Sequence, residues 1–494
     1  MERRGFRRFL FTGLLAAGLA AWPGIRAASE DAEGRWMAGD YHTHTLLSDG
    51  GCPLDEVAFH AFLYGLDWFA VTDHGGAFSR DRHGNRFPER VPRWITLENQ
   101  SYPAVRNLRE AFPQKEVLLG FEWTVPGLEH ASVVIAADEP DAVSAFEYMC
   151  DAGDADASRD LPKWNRTRAD ALKCAAYLEA RYGGASFLLP NHPSRKMKYG
   201  IADLRDLNDA APNVMFGFEG IPGAQKHAVR GGYDFVSPHR FDDGRSRTHG
   251  GADYMAAKVG GTWDALLGDG RRFFLFANSD FHEKGFRPGE YAKSYTFVKG
   301  AGPKAVVDGM RSGNSFAVLG DLIDALSFTA SAGGGAAAMG ETLRVKRGDR
   351  VEISVAFRSP EFNNNGDAPR VDHIDVIAGR VEGKAKPGTR AYKRDVNPTA
   401  RVVARISAGN WTCDKGSCRA KIDAGAVHEA MYFRLRGTNL PPSTPGETDE
   451  EGNPLSDDEA CGKDQAPPKC NTREKAYADL WFYSNPIFVD IMVP

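Results

Sequence analysis

Between residues 36 and 319 the chain alternates short apolar runs with helical stretches, and the apolar runs end on histidines and acids. The run 36–41 leads into His42-Thr43-His44, 68–72 into Asp73-His74-Gly75-Gly76, and 116–121 into Glu122. A β-rich run follows at 130–135, 186–190 ends in Asn191-His192-Pro193, 214–218 ends in Glu219, and 273–277 ends in Asn278-Ser279-Asp280-Phe281-His282. Helical patterns at 53–64 (Pro at its first turn), 95–111, 167–182 and 263–267 lie between them. Alternation of this kind predicts an α/β, barrel-like domain with parallel strands. Barrel folds assemble their sites from loops just past the C-terminal ends of strands, which is where these residues fall.

In a strand, residues i and i+2 point to the same face, so His42 and His44 can grip one cation together. Alone, a His-x-His reads equally well as a strand end without a metal. The histidines and carboxylates at the other strand ends shift the balance. Imidazole suits Zn, Mn and Fe, and neighbouring carboxylates suit the harder of these. Gly50-Gly51 and Gly75-Gly76 let loops turn sharply beside such a cluster.

With 494 residues the chain is long enough for two or three domains. Its net charge of −5 argues against nucleic acid or an anionic membrane as partner. Arg3, Arg4, Arg7 and Arg8, the apolar run 9–21 and the small residues Ala27 and Ala28 read as a signal peptide over 1–28. Arg3-Arg4-Gly5-Phe6 resembles a twin-arginine signal, with Arg7 where Leu is usual. An uncleaved anchor is the alternative. Cleavage places the protein in the periplasm or outside the cell, without stable membrane association. Seven cysteines fit that oxidising setting: Cys413 with Cys418 and Cys461 with Cys470 read as local disulfides, and Cys150 with Cys174 as a third, leaving Cys52 outside the pairs.

Residues 225–260, with His227, His239 and His249, break the rhythm and read as a lid or a surface insertion. After residue 320 the pattern changes to strand-like runs at 350–357, 371–377, 401–406, 431–436 and 480–491, separated by turns. This predicts a small antiparallel β-sandwich domain over 321–494, following a metal-hydrolase domain over 29–320.

His42-Thr43-His44, Thr72-Asp73-His74, Gly120-Phe121-Glu122, His130, Asn191-His192-Pro193 and Ser279-Asp280-Phe281-His282 together resemble the successive motifs of the PHP (polymerase and histidinol phosphatase) superfamily of metal hydrolases. The resemblance spans residues 39–319. The signal and the trailing β domain, ending in Tyr483-Ser484-Asn485-Pro486-Ile487, are similar to its exported, carbaryl-hydrolase-like branch. It implies a distorted seven-stranded (β/α)7 barrel and two or three divalent ions (Zn, Mn or Fe). By resemblance, His42, His44, Glu122 and Asp280 hold the first ion. Glu122 bridges to a second on His130 and His192, and Asp49, His74 and His282 hold a third. Asp49 stands where some members have His. Asp280, His192 and Arg195 are the catalytic candidates.

Closely spaced cations acidify a bridging water and clamp the attacking and leaving oxygens, so no Ser or Cys nucleophile is required. The sequence has no Gly-x-Ser-x-Gly elbow and no phosphate-cradling Gly-x-x-x-x-Gly-Lys-Ser/Thr loop. Arg195, Lys196 and Lys198 follow His192-Pro193 and can clamp a phosphate, or form a solvated basic patch. His239 and Arg240 are weaker candidates. Asp73 is expected to orient His74, Glu219 to lie beside a ligand or line the pocket, His60 to be structural and His83 exposed. An exported phosphoesterase acting on a small, phosphorylated molecule is the leading expectation. Hydrolysis of a non-phosphate ester, carbamate or amide is the alternative, with Tyr41, Phe78, Trp123 and Tyr199 as its apolar surroundings.

Overall fold

The computed structural model describes residues 34–137, 139, 141–223, 244–282, 286–457 and 473–492. The strands that position the site are Gly34–Asp40 (β1), Trp68–Val71 (β2), Glu116–Thr124 (β3), His130–Ile135 (β4), Ser186–Pro190 (β5), Gly217–Pro222 (β6), Phe274–Asn278 (β7), Ala292–Lys299 (β8) and Ser315–Leu319 (β9). β6 begins three residues later than the run 214–218, which places Glu219 inside the strand.

The expectation of parallel strands throughout is corrected. β1–β2, β2–β3 and β6–β7 are parallel, but β3–β4, β4–β5 and β1–β8 are antiparallel. Only residues 125–129 separate β3 from β4, and a parallel crossover needs roughly a dozen or more. A hairpin closes instead, with the Leu128 N–H on the Val125 carbonyl (3.0 Å) and Gly127 at φ +75°.

Nor do sheet hydrogen bonds close a seven-stranded ring. One large sheet carries β5-β4-β3-β2-β1-β8-β9 in that order, while β6 and β7 form a separate pair. The two pieces share one core: the Tyr41 ring lies 5.4 Å from Phe187 of β5 and 6.0 Å from Phe276 of β7. Trp68, Leu118, Val134 and Phe274 are buried in the same cluster, with Val306, Val307 and Met310 of the helix Pro303–Ser312. Trp68 requires Gly39 opposite it, because a Cβ there would stand 1.8 Å from the indole.

The β-rich part after residue 320 is divided between the large sheet and a second one. β9 pairs with Trp481–Ser484 (β11), which pairs with Met431–Thr438 (β10), so the large sheet runs through the expected boundary. β9 is buried along its whole length, and left as an edge it would present unpaired backbone groups. A second, five-stranded antiparallel sheet includes Ala325–Ala332 and Arg350–Arg358. The run 480–491 divides at Asn485-Pro486, where proline supplies no N–H. The Asn485 side chain accepts from the Leu275 N–H (2.7 Å) and donates to the Ser315 hydroxyl (2.7 Å), tying β7 to β9.

The expected lid is corrected where it is described. Residues 224–243, with His227, His239 and Arg240, lie outside the described residues, as do the segment 1–28 and Cys461 and Cys470. From Gly244 the chain forms a short hairpin (Thr248–His249 with Ala252–Asp253) and the turn of helix Tyr254–Ala257. Asp253 accepts from the Ser194 N–H (2.9 Å) and hydroxyl (2.7 Å), while Asp457 accepts from the Thr248 hydroxyl (2.6 Å) and the Gly251 N–H (2.9 Å). This stretch is a tether between the two parts of the chain. Cys150–Cys174 and Cys413–Cys418 are disulfides, and the buried Cys52 thiol donates to Glu56 at 3.3 Å. No helix among the described residues is long and apolar enough to cross a membrane.

The two parts are also joined by a buried ion pair. Arg434 of β10 reaches Asp264, on the helix Thr262–Gly268, through Nε (2.9 Å) and Nη2 (2.7 Å), and the Tyr432 hydroxyl donates to the same carboxylate (2.8 Å). Both charged side chains are fully buried, so losing one strands the other. Asp264→Ala is expected to lower the unfolding free energy by about 3–5 kcal/mol, and the paired D264L/R434M replacement by far less. Denaturant melts of the three proteins measure the difference.

Candidate metal centre

Backbone pairing continues past the strand ends and sets the turns side by side. The Thr72 N–H donates to the Thr43 carbonyl (3.0 Å), the Glu122 N–H to Thr72 (3.1 Å), and the His44 N–H to Phe281 (3.0 Å). His42 and His44, two residues apart, face the same way, with their Nε2 atoms 3.1 Å apart. Thr43 between them turns back to the Ala70 carbonyl (2.8 Å). His192 (φ +30°) and Asp280 (φ +48°) sit in the left-handed region, which for a non-glycine residue costs about 1–3 kcal/mol and persists only where the surroundings enforce it.

All nine residues expected to hold metal come together. Glu122 Oε1 lies 3.2 Å from His42 Nε2, 3.1 Å from His130 Nδ1 and 3.2 Å from His192 Nε2, and Oε2 lies 2.9 Å from His74 Nδ1 and 3.5 Å from His44 Nε2. Asp280 Oδ1 lies 3.1 Å from His42 Nε2, 3.3 Å from His44 Nε2 and 3.5 Å from His282 Nδ1. Asp49 bridges His282 Nε2 (3.2 Å) and His74 Nε2 (3.4 Å). His42, His44, Glu122, His192 and Asp280 are buried, while Asp49 is half exposed and opens the cluster to solvent.

These spacings pass a simple test of fit. A tetrahedral ion with nitrogen and oxygen ligands at about 2.1 Å sets neighbouring donor atoms about 3.4 Å apart. Mutually close donor sets occur at His42/His44/Glu122, His42/His192/Asp280, His74/Glu122/His130 and His44/Asp49/His74/His282. The mixed imidazole and carboxylate donors suit Zn, Mn or Fe. His192 Nδ1 is buried without a hydrogen-bond partner among the described residues.

Crowding in a largely buried cleft sets the electrostatics. Burial opposes charge on His74, but Glu122 and Asp49 outweigh it and push its pKa up to about 10. His282 is likewise pushed up to about 9 by Asp280 and Asp49. His44 is buried beside these two cations and falls to about 4. Glu122, despite burial, is held well below the carboxylate range by His130, His74 and His42.

Sequence reasoning missed two neighbours of the cluster and left a third, Glu219, between a ligand-adjacent and a pocket-wall place. Glu219 accepts from His42 Nδ1 (2.9 Å). Asn191 donates to Glu122 Oε1 (2.9 Å). Glu129, buried, takes Arg195 Nη2 at 2.5 Å and Lys196 Nζ at 3.2 Å, so the basic residues after His192 are ion-paired as well as close to the site. Arg195 Nη2 also stands 3.2 Å from His130 Nδ1. The expectation for Asp73 is corrected: its carboxylate accepts from the Thr45 N–H (2.8 Å), the Thr45 hydroxyl (2.7 Å) and the Ser48 hydroxyl (2.5 Å), fixing the turn after His44. The short side chains of that turn reach Asp73 and leave His74 free to face the carboxylates. His60 pairs with Glu56 within its own helix, and His83 is exposed.

No protein-family profile and no curated protein matches the chain. Among solved structures, it is similar to a two-domain protein containing a predicted PHP-like metal-dependent phosphoesterase from Bacteroides vulgatus, at 12% identity and a TM-score of 0.35, over 81% of this chain and 91% of that one. A likeness at that level assigns neither fold nor activity.

Ligation needs the imidazole lone pair, so an incoming ion must expel the protons that His74 and His282 hold at pH 7. Both pKa values lie above 8, so the two protons are still held across pH 6–8 and must leave at each pH, and affinity climbs with pH because their release is favoured as the proton concentration falls. Calorimetric titration of Mn or Zn in two buffers of different ionisation enthalpy is expected to show proton release of similar size at pH 6 and at pH 8, with tighter binding at pH 8.

Proposed function

We propose that the chain is an exported metal-dependent hydrolase of the PHP type, acting on a phosphoric ester of a small molecule. The observation that carries this reading is the convergence of six imidazoles and the carboxylates Asp49, Glu122 and Asp280, from separate strand exits, at ligand spacing in one buried cleft. In this reading His42, His44, Glu122, His192 and Asp280 hold one part of a cluster of two or three ions, with His130 against Glu122. Asp49, His74 and His282 hold the remainder. Divalent ions there supply Lewis acidity and an activated water.

The chain's own groups have separate tasks. Glu122, between five imidazoles, keeps the donor atoms at fixed separation. Asp280 is held by its strained turn at the cluster and is the group to accept the proton of the attacking water. Arg195 presents a guanidinium beside His130, and Glu129 fixes its direction, so that it can orient a phosphate rather than wander in solvent. Carbonyl chemistry is the second reading. Two features favour it: Glu129 offsets the charge of Arg195 and Lys196, and Phe78 lies flat against His74 (13° between planes, centroids 6.4 Å apart), where it would face an apolar group.

The deciding experiment sets an aryl phosphate monoester, an aryl phosphodiester and an aryl carboxylate or carbamate side by side, with Mn or Zn added to the mature protein. Phosphate release that a chelator abolishes is expected. Carbonyl cleavage alone would replace the first reading by the second. His44→Ala and Asp280→Ala should each reduce turnover by on the order of 100-fold or more while far-UV circular dichroism is unchanged. Full turnover by either variant would sink the assignment. Arg195→Ala should raise KM for the phosphate ester more than it lowers kcat.

A further inference from the structure

Glu219 is fully buried on β6, and its carboxylate makes three contacts that converge on the proposed ligands. Oε1 accepts from His42 Nδ1 (2.9 Å) and from the Asn278 amide (3.0 Å), while Oε2 accepts from the His192 backbone N–H (2.7 Å). Asn278 in turn accepts from the Tyr41 N–H at 2.9 Å. One carboxylate therefore touches a ligand imidazole from the end of β1 and the strained main chain of a ligand from the end of β5.

An acceptor at Nδ1 fixes the proton of a neutral imidazole on that atom and leaves Nε2 with its lone pair. In His42 that Nε2 faces Glu122 Oε1 (3.2 Å), Asp280 Oδ1 (3.1 Å) and His44 Nε2 (3.1 Å). The contact of Glu219 with the His192 N–H holds His192 at φ +30°, the conformation in which its Nε2 meets Glu122. We infer that Glu219 is a positioning residue for the ion at His42, His192 and Asp280: it selects the ligating tautomer of His42 and locks the backbone of His192. Among the described residues its hydrogen bonds go to His42, Asn278 and the His192 N–H and none to Asp49, His74 or His282, so its influence is confined to one side of the cluster. This rests on the reading of the nine residues as metal ligands.

Glu219→Gln tests it. A glutamine keeps the shape, but it cannot accept from His42, Asn278 and the His192 N–H together, because its amide is a donor. Competition of Mn or Zn against a chromophoric chelator, with the metal content of desalted protein, is read for wild type and variant, and an ion-free melt of each serves as control. The expected result is a loss of affinity on the order of 10- to 100-fold for one ion per chain, the affinity for the remaining ion or ions unchanged and the ion-free variant still melting as a folded protein. Co-substituted protein should show an altered ligand-field spectrum for that same ion. Equal affinity in the two proteins would overturn the positioning role while leaving the hydrolase reading intact. Wild type that binds no divalent ion would overturn both. Should Glu219→Gln not fold, Glu219→Asp keeps the charge and shortens its reach: a folded Asp variant with wild-type affinity for every ion also overturns the role.

Discussion

Five imidazoles lie within 3.5 Å of the two oxygens of Glu122, a fully buried carboxylate. Such packing is tolerable only if positive charge sits among the rings, because an unpaired buried carboxylate is expensive. Protons supply it in the ion-free protein, which is why His74 and His282 are pushed so far up while His44 between them is pushed down. Divalent ions supply it more compactly. Two of them would match the charges of Asp49, Glu122, Glu219 and Asp280, and the rings would turn from charge carriers into neutral donors.

Holding so many like groups at such distances requires stiff supports. Glu122 and His130 stand within β3 and β4, and the other proposed ligands on turns whose backbone hydrogen bonds extend the strand ladders past the formal strand ends. His192 and Asp280 carry left-handed backbone, and each is enforced locally: Glu219 takes the His192 N–H, and the Phe281 carbonyl after Asp280 takes the His44 N–H. The strain falls on residues whose side chains must turn inward at a strand exit, a common place for strain to be retained.

The strand exits were legible in the sequence because each signal is local: an apolar run, then His, Glu or Asp in the next few residues. Hence His42, His44, His74, Glu122, His192, Asp280 and His282 could be read together. Strand direction was only partly legible. The gap between Glu122 and His130 was already too short for a parallel crossover, yet the alternation of strands and helices elsewhere masked it. What escaped was long-range. The roles of Glu219 and Glu129 depend on partners distant in sequence, and Asp73 looked like a partner for its neighbour until the fold brought Thr45 and Ser48 within reach. The junction of β9 with β11 was hidden for the same reason, since residues 315–319 and 481–484 carry no mutual signal beyond being apolar.

The gaps in the ring and the position of the cluster are connected. Between β5 and β6, Glu219 reaches across to the His192 N–H, and between β7 and β1 Asn278 takes the Tyr41 N–H while Asp40 takes the Ser279 N–H at 3.0 Å. Where the strand ladders stop, these side chains join single backbone bonds, such as that from the His44 N–H to Phe281, in carrying the connection, so the contacts that close the fold also assemble the site. The large sheet, extended through β9 into β10 and β11, supplies a fixed wall, and the β6–β7 pair is drawn against it by the shared core and by these contacts. Ions bound between the two pieces would then stabilise the fold and the site together, since whatever binds only the assembled state shifts the equilibrium towards it.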